Sequence, residues 1–179
     1  MFSFKEVMQP IDAQEIAMGL WMGSMPPVGR TLTSSGFNVL VLCAMEHQPP
    51  LESFPGVDVA RIYLDDNGML PPREHVYQAF HLANRLTAAI RSGCCALVTC
   101  AQGRNRSGFV AALTLMRMTG CSGKCAVRTV QERRLSPFGT ALTNPAFVRA
   151  LETIPERPRQ QRGLITTRSA AEENLGATS

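Results

Sequence analysis

Two short runs of consecutive apolar residues stand out in the hydrophobic pattern of the chain. The longer run follows Asn38 and ends at Ala44, and the shorter one covers residues 96–98. Unbroken apolar runs of this length are typical of interior strands of a parallel sheet, which are buried on both faces. Residues 16–22 and 57–64 are predicted as two further strands.

Helical spacing appears in the segments that lie between and after these strands. Residues 72–91 place one apolar side chain on the same face at every turn, at Val76, Phe80, Ala83, Leu86 and Ile90. Further helices are predicted over residues 108–118, 124–134 and 145–154, with a short helical turn at 31–35. Ser122 and Thr143 are the candidate N-cap residues of the last two helices.

The alternation of strands and helices predicts an α/β fold, a single domain whose central, mostly parallel sheet is flanked by helices on both faces. In such sheets ligands bind beyond the carboxyl ends of the strands. Cys100, the pair Asp65–Asp66 and the loop of His47 each follow one of the predicted strands. We therefore expect them to lie at the same edge of the sheet, with His47 at the periphery of the expected site.

The domain is predicted to cover residues 11–155. From Glu156 onward the apolar periodicity disappears, so residues 156–179 are predicted to form a polar, mobile tail. The 179 residues suit one domain of ordinary size, and a net charge of +4 is too small to argue for a nucleic-acid partner.

Membrane and metal binding are not expected either. No apolar stretch approaches the ~20 residues that span a bilayer, and the first residues lack a signal-peptide pattern. We expect a cytoplasmic protein, in which the six cysteines are reduced thiols. Cys121 and Cys125 have no further ligands at metal-binding spacing, so no metal or other cofactor is expected.

The segment from Cys100 to Arg106 carries the chemistry. It joins the predicted strand at 96–98 to the helix at 108–118, so its backbone N–H groups and the helix N-terminus form an anion cradle. The same positive field stabilises a thiolate, which makes Cys100 a candidate nucleophile. Arg106 can offer its planar guanidinium to two phosphate oxygens. These features together predict phosphoryl transfer to cysteine.

These residues, Cys-Ala-Gln-Gly-Arg-Asn-Arg-Ser from Cys100 to Ser107, resemble the Cys-x5-Arg-Ser/Thr signature of the protein tyrosine phosphatases, in their compact dual-specificity branch. The resemblance extends from about Gly19 to Pro155. It implies a protein tyrosine phosphatase-like fold and hydrolysis of phosphomonoesters through a phosphocysteine intermediate. One residue departs from the pattern, because Thr99 stands where the family usually has a histidine.

The resemblance also implies roles for neighbouring side chains. The family carries a general acid on the loop where Asp65 and Asp66 lie, and we expect Asp66 to be the acid, with Asp65 as the alternative. Ser107 is expected to stabilise the departing thiolate. Phosphate binding is assigned to the remaining loop residues, Ala101, Gln102, Gly103, Arg104 and Asn105.

The expected substrates are phosphotyrosine and phosphoserine or phosphothreonine on proteins. Arg104 matches a lysine of phosphoinositide-directed family members, so a phosphoinositide or RNA 5′-phosphatase is an alternative. Thr99 favours a second alternative, a pseudophosphatase that binds phosphate esters without turnover. Cys43 is interpreted first as a buried strand cysteine that packs as a small apolar residue; the alternative is that it resembles a resolving cysteine, which traps the oxidised nucleophile as a disulfide.

Overall fold

A computed structural model describes residues 10–155 of the chain. The strands and helices are β1 (Ala13–Ala17), β2 (Leu20–Gly23), α1 (Thr31–Ser34), β3 (Val39–Ala44), a 3-10 helix (Leu51–Ser53), β4 (Asp58–Leu64), α2 (Arg73–Arg91), β5 (Ala96–Thr99), α3 (Arg106–Thr119), α4 (Gly123–Arg133) and α5 (Pro145–Glu152). The predicted tail, residues 156–179, lies outside the described residues.

The five strands form one sheet in the order β1-β2-β5-β3-β4. β2, β5, β3 and β4 are parallel, and only β1 runs antiparallel to its neighbour β2. The predicted mostly parallel α/β sheet is therefore confirmed. The single strand predicted over residues 16–22 is wrong, because the chain turns at Met18–Gly19 and forms a hairpin. Gly19 has a φ of +77° in this turn, a backbone conformation that residues other than glycine rarely adopt.

The two faces of the sheet carry different layers. Val39, Val41 and Cys43 point into the larger core against the long helices, while Leu40 and Leu42 point the other way. Helix α3 packs across β2, β3 and β5, and α2 and α4 lie beside it. The second face is covered by short elements and their apolar residues Leu32, Phe37 and Phe54. Helices thus flank both faces as predicted, but the second face has only α1 and the 3-10 helix.

The helix ends refine the predictions. Helix α3 begins at Arg106, two residues before the predicted start, and α5 ends at Glu152 rather than residue 154. The predicted cap of α4 is confirmed, since the Cys125 backbone N–H donates to Ser122. The predicted cap of α5 is wrong: Asn144, not Thr143, accepts the N–H of Ala146 at 2.9 Å. Asn144 immediately precedes Pro145, which suits the first position of a helix.

Candidate active site

Cys100 lies directly after β5, at the carboxyl edge of the sheet, and is 5% exposed. Its Sγ is 3.2 Å from Oγ of Ser107, which stands in the first turn of α3. Both side chains are buried, so the thiol faces a hydroxyl and the amino end of a 14-residue helix. This position favours a negatively charged sulfur, because the helix dipole and the hydroxyl both stabilise an anion there.

The segment Cys100–Arg106, hereafter the phosphate loop, curls around that helix end. The backbone N–H groups of residues 101–105 have no acceptor within the described part of the chain. Gly103 has a φ of +61°, and a Cβ on it would lie 2.6 Å from the carbonyl oxygen of Gly23 and 2.5 Å from the Arg134 side chain. Only glycine therefore fits this point of the loop. The free N–H groups form the anion cradle that the sequence predicts.

Arg106 is 8% exposed, and its guanidinium donates to the carboxylate of Glu46. Its Nε is buried and has no hydrogen-bond partner among the described residues. Burial lowers the pKa of Arg106, but the bond to Glu46 and the negative charges of Cys100 and Asp66 outweigh this and raise the pKa above its ordinary value. The same bond lowers the pKa of Glu46. Arg106 is thus held as a cation near Cys100, and its buried Nε donor is unused.

Asp66, rather than Asp65, is connected to the phosphate loop. The two oxygens of Asp66 accept hydrogen bonds from the side-chain amides of Asn105, at 3.0 Å, and Asn144, at 2.8 Å. Asp65 accepts bonds from the Asp66 backbone N–H and the Asn67 side chain, both within its own turn. Asp66 therefore lies against the phosphate loop, whereas Asp65 is held in a local turn.

Asn105 connects three segments through one side chain. Its Oδ1 accepts the backbone N–H groups of Thr143, at 2.8 Å, and Asn144, at 3.1 Å, while its Nδ2 donates to Asp66. The neighbouring Arg104 donates to the Thr140 carbonyl at 3.0 Å and to Oγ1 of Thr143 at 3.1 Å. Both side chains therefore fix the loop before α5 against the phosphate loop. Two donors of the half-buried Arg104 guanidinium are thus bonded to that loop.

Sequence reasoning missed Arg134, which holds the phosphate loop from behind. Its side chain is fully buried, donates to the Gly103 carbonyl at 3.0 Å, and forms a bidentate ion pair with Asp12 at 2.8 and 2.6 Å. The bond from Arg134 is the largest cause of the lowered pKa of Asp12. A signal was present in the sequence, since Val127, Val130 and Arg134 share one face at helical spacing. Arg133 and Arg134 close the helix predicted over residues 124–134, where two adjacent cations suit the negative end of the helix dipole, so the sequence alone gave Arg134 no partner.

Glu46 was also missed as a site residue. It lies two residues beyond β3, in the loop where the sequence drew attention to His47. Its position at the carboxyl edge of the sheet was visible, but its pairing with Arg106, 60 residues away, was not. His47 itself lines a small cavity of about 10 Å³ together with Thr99 and Cys100.

The comparisons with known proteins agree on one group. A scan against protein-family models finds no match. Dual specificity phosphatase 28 of Homo sapiens is 28% identical over 146 residues, which are 82% of this chain and 79% of that protein. The crystal structure of human DUSP28 has a TM-score of 0.64 to this fold at 25% identity, covering 80% of this chain and 95% of its own. These similarities support the assignment of the chain to the dual-specificity branch of the cysteine-dependent protein tyrosine phosphatase superfamily.

A second structure supports the same assignment. A mouse protein named as a dual specificity phosphatase, complexed with zinc tungstate, is 26% identical with a TM-score of 0.63, and the match covers 85% of this chain and 92% of that one. Within the described residues of the chain, no cluster of three His, Cys, Asp or Glu side chains is arranged to hold a metal. Nor does any helix of residues 10–155 have the length and apolar character to cross a membrane.

Thr99, the residue that departs from the family pattern, has a structural role in this fold. Thr99 is 1% exposed, and its hydroxyl donates to the Val41 carbonyl at 2.9 Å. This hydrogen bond connects β5 to β3, and the neutral hydroxyl adds no charge beside Cys100. Cys43, on β3, is fully buried in the same core cluster as Cys100, and burial together with the negative charge of Cys100 raises its pKa.

Proposed function

We propose that this dual-specificity phosphatase hydrolyses phosphomonoesters on phosphorylated proteins, with Cys100 as the nucleophile. The observation that carries the proposal is the convergence of three groups on one short loop. Cys100 Sγ faces Ser107 Oγ at 3.2 Å, Arg106 carries a buried and unpartnered Nε, and Asp66 is bonded to Asn105. A thiolate, a cation and a carboxylate in this arrangement are what phosphoryl transfer to sulfur requires.

In the first step the Cys100 thiolate attacks phosphorus, and the bond from phosphorus to the ester oxygen breaks. Asp66, protonated, gives its proton to the departing oxygen, so that an alcohol or phenol leaves rather than an alkoxide or phenoxide. Arg106 and the N–H groups of residues 101–105 bind the equatorial phosphoryl oxygens, and the Nε of Arg106 gains the acceptor that it lacks within the described protein.

In the second step water attacks the phosphocysteine, and the Asp66 carboxylate takes its proton. The bond from sulfur to phosphorus breaks, releasing inorganic phosphate and restoring the Cys100 thiolate. Ser107, 3.2 Å from the sulfur, can donate its hydroxyl proton in a hydrogen bond to the departing thiolate. The side chains in the site supply every charge and proton that the two steps need, so the proposal includes no cofactor.

Proteins are the proposed substrates, rather than inositol phospholipids, because of Arg104. A cation at this position would serve a second phosphate of an inositol ring only if it were free to face the ligand, but Arg104 donates to Thr140 and Thr143. Phosphotyrosine and phosphoserine or phosphothreonine are the proposed residues. We also propose a cytoplasmic location, because all six cysteines are free thiols, and no nucleic-acid partner.

Turnover of a small aryl phosphate and of a phosphotyrosine peptide tests the proposed function. The wild-type chain is expected to hydrolyse both, and Cys100→Ser to hydrolyse neither while still binding the peptide. Arg106→Lys is expected to be severely impaired, because a point charge cannot replace the planar guanidinium. A wild-type chain that binds both compounds without turnover would instead be a pseudophosphatase, the alternative that Thr99 favours.

A further inference from the structure

Four loops are anchored to the phosphate loop or to its arginine. Met25 N–H donates to the Ala101 carbonyl at 3.4 Å, and Ser136 Oγ donates to the Gln102 carbonyl at 3.2 Å. Glu46 pairs with Arg106, and Asp66 is bonded to Asn105. The loops 24–30, 45–50, 65–72 and 135–144 therefore surround the position where a phosphate ester would bind.

These loops carry a concentration of exposed apolar side chains. Seven of the eleven large apolar side chains that are exposed among residues 10–155 lie on them. Each loop contributes one such residue close to its anchoring hydrogen bond: Met25 (53% exposed), Met45 (55%), Met69 (65%) and Phe138 (51%). We call these four residues the rim. Single exposed apolar residues are ordinary, but a group of them around one site marks a binding surface.

The charge around the rim favours one kind of partner. The four loops contain three carboxylates, Glu46, Asp65 and Asp66, and a single arginine, Arg30. The nearest cations of the phosphate loop are engaged, Arg106 by Glu46 and Arg104 by Thr140 and Thr143. With three carboxylates against one exposed arginine, the four loops carry a net negative charge, so acidic groups next to the phosphate would meet more carboxylates than free cations.

We infer that the rim selects protein segments in which apolar residues flank the phosphorylated residue, and that it disfavours acidic flanks and further phosphates. The inference rests on the proposed function, because it concerns which phosphoprotein enters that site. Apolar flanking side chains would cover the rim residues and remove their surface from water. Methionine suits such a surface, since its flexible thioether adapts to varied neighbours.

Binding to the Cys100→Ser variant tests the inference without depending on turnover. Three phosphotyrosine peptides that differ only in the two flanking residues, Leu, Gln or Glu, are titrated by fluorescence anisotropy. We expect the Leu peptide to bind about tenfold more tightly than the Glu peptide. Adding Met45→Gln, Met69→Gln and Phe138→Ser is expected to reduce this ratio to about twofold, because polar side chains replace the apolar contacts.

Met18→Gln in the same Cys100→Ser background is the matched control. Met18 is 87% exposed at the turn between β1 and β2, at the edge of the sheet opposite the phosphate loop. Its substitution should therefore leave the tenfold ratio of Leu-peptide to Glu-peptide affinity unchanged. Equal binding of the three peptides, or a ratio that the three rim substitutions do not change, would overturn the inference. Tighter binding to vesicles containing a phosphoinositide than to the Leu peptide would overturn it too. Absence of aryl phosphate turnover by the wild type would instead contradict the proposed function.

Discussion

The ion pair between Arg134 and Asp12 offers a prediction whose size can be worked out from the structure. Arg134→Met keeps an unbranched apolar stem but removes two charged bonds to Asp12, a bond to the side-chain oxygen of Gln14 and the bond to the Gly103 carbonyl. Breaking a buried ion pair lowers the free energy of unfolding by about 3–5 kcal/mol. The Asp12 side chain is 28% exposed and can recover some hydration, so we expect a loss near the lower limit, about 3 kcal/mol.

Urea unfolding followed by circular dichroism measures this loss. Arg133→Met is the matched control, because Arg133 is exposed and makes one bond, to the Ile16 carbonyl, so it should lose less than about 1 kcal/mol. At low urea, where Arg134→Met is folded, its kcat/KM for an aryl phosphate should fall about 100-fold, since Gly103 loses its support. Full activity together with a loss below about 1 kcal/mol would refute the role of Arg134.

The same ion pair makes a signed prediction about pH. The pKa of Asp12 lies below its ordinary 3.8 in the folded chain, mainly because Arg134 donates to it. Its contribution to stability is therefore fully present above that ordinary value and disappears as the pH falls through the lowered one. The difference in unfolding free energy between wild type and Asp12→Asn should be constant near neutral pH and shrink below pH 3.8. A difference that grows on acidification would contradict the pairing.

Three further experiments test individual residues of the site. Asp66→Asn should slow hydrolysis of phosphotyrosine by ~10²–10⁴ and that of a highly activated aryl phosphate far less; if only Asp65→Asn shows this leaving-group dependence, the acid is Asp65. Thr99→His should speed alkylation of Cys100 at mildly acidic pH, and an unchanged profile would mean that the phosphate loop alone stabilises the thiolate. Mild peroxide should inactivate the enzyme reversibly through a Cys43–Cys100 disulfide, found by peptide mapping, and equally complete recovery by thiol in Cys43→Ser would leave Cys43 as core packing.

The parts of the fold that the sequence predicted are those with strong local patterns. Unbroken apolar runs located β3 and β5, and helical spacing located α2. The hairpin was missed because residues 16–22 are continuous in apolar character, and a single glycine at position 19 was the only sign of the turn. The cap of α5 was misplaced by one residue because Thr143 and Asn144 are both residue types that favour N-caps.

The residues of the candidate site also differ in how visible they were in the sequence. The phosphate loop was visible as one contiguous stretch, so its nucleophile and arginine were named from the sequence. The supporting residues were not, because their partners are distant along the chain: Arg134 lies 122 residues from Asp12, and Arg106 lies 60 from Glu46. Asp66 differs from Asp65 only through Asn105 and Asn144, two partners that the fold alone brings to it.

Trapping the phosphocysteine tests the central claim most directly. The wild-type chain is mixed with an aryl phosphate, quenched in alkali within milliseconds to seconds, digested at alkaline pH, where the bond from sulfur to phosphorus is stable, and mapped by mass spectrometry. We predict a phosphoryl group on the peptide that contains Cys100, formed within the first turnover and absent from Cys100→Ser. Turnover without a phosphoryl group on Cys100, or substantial turnover by Cys100→Ser, would contradict a mechanism in which phosphate passes through this sulfur.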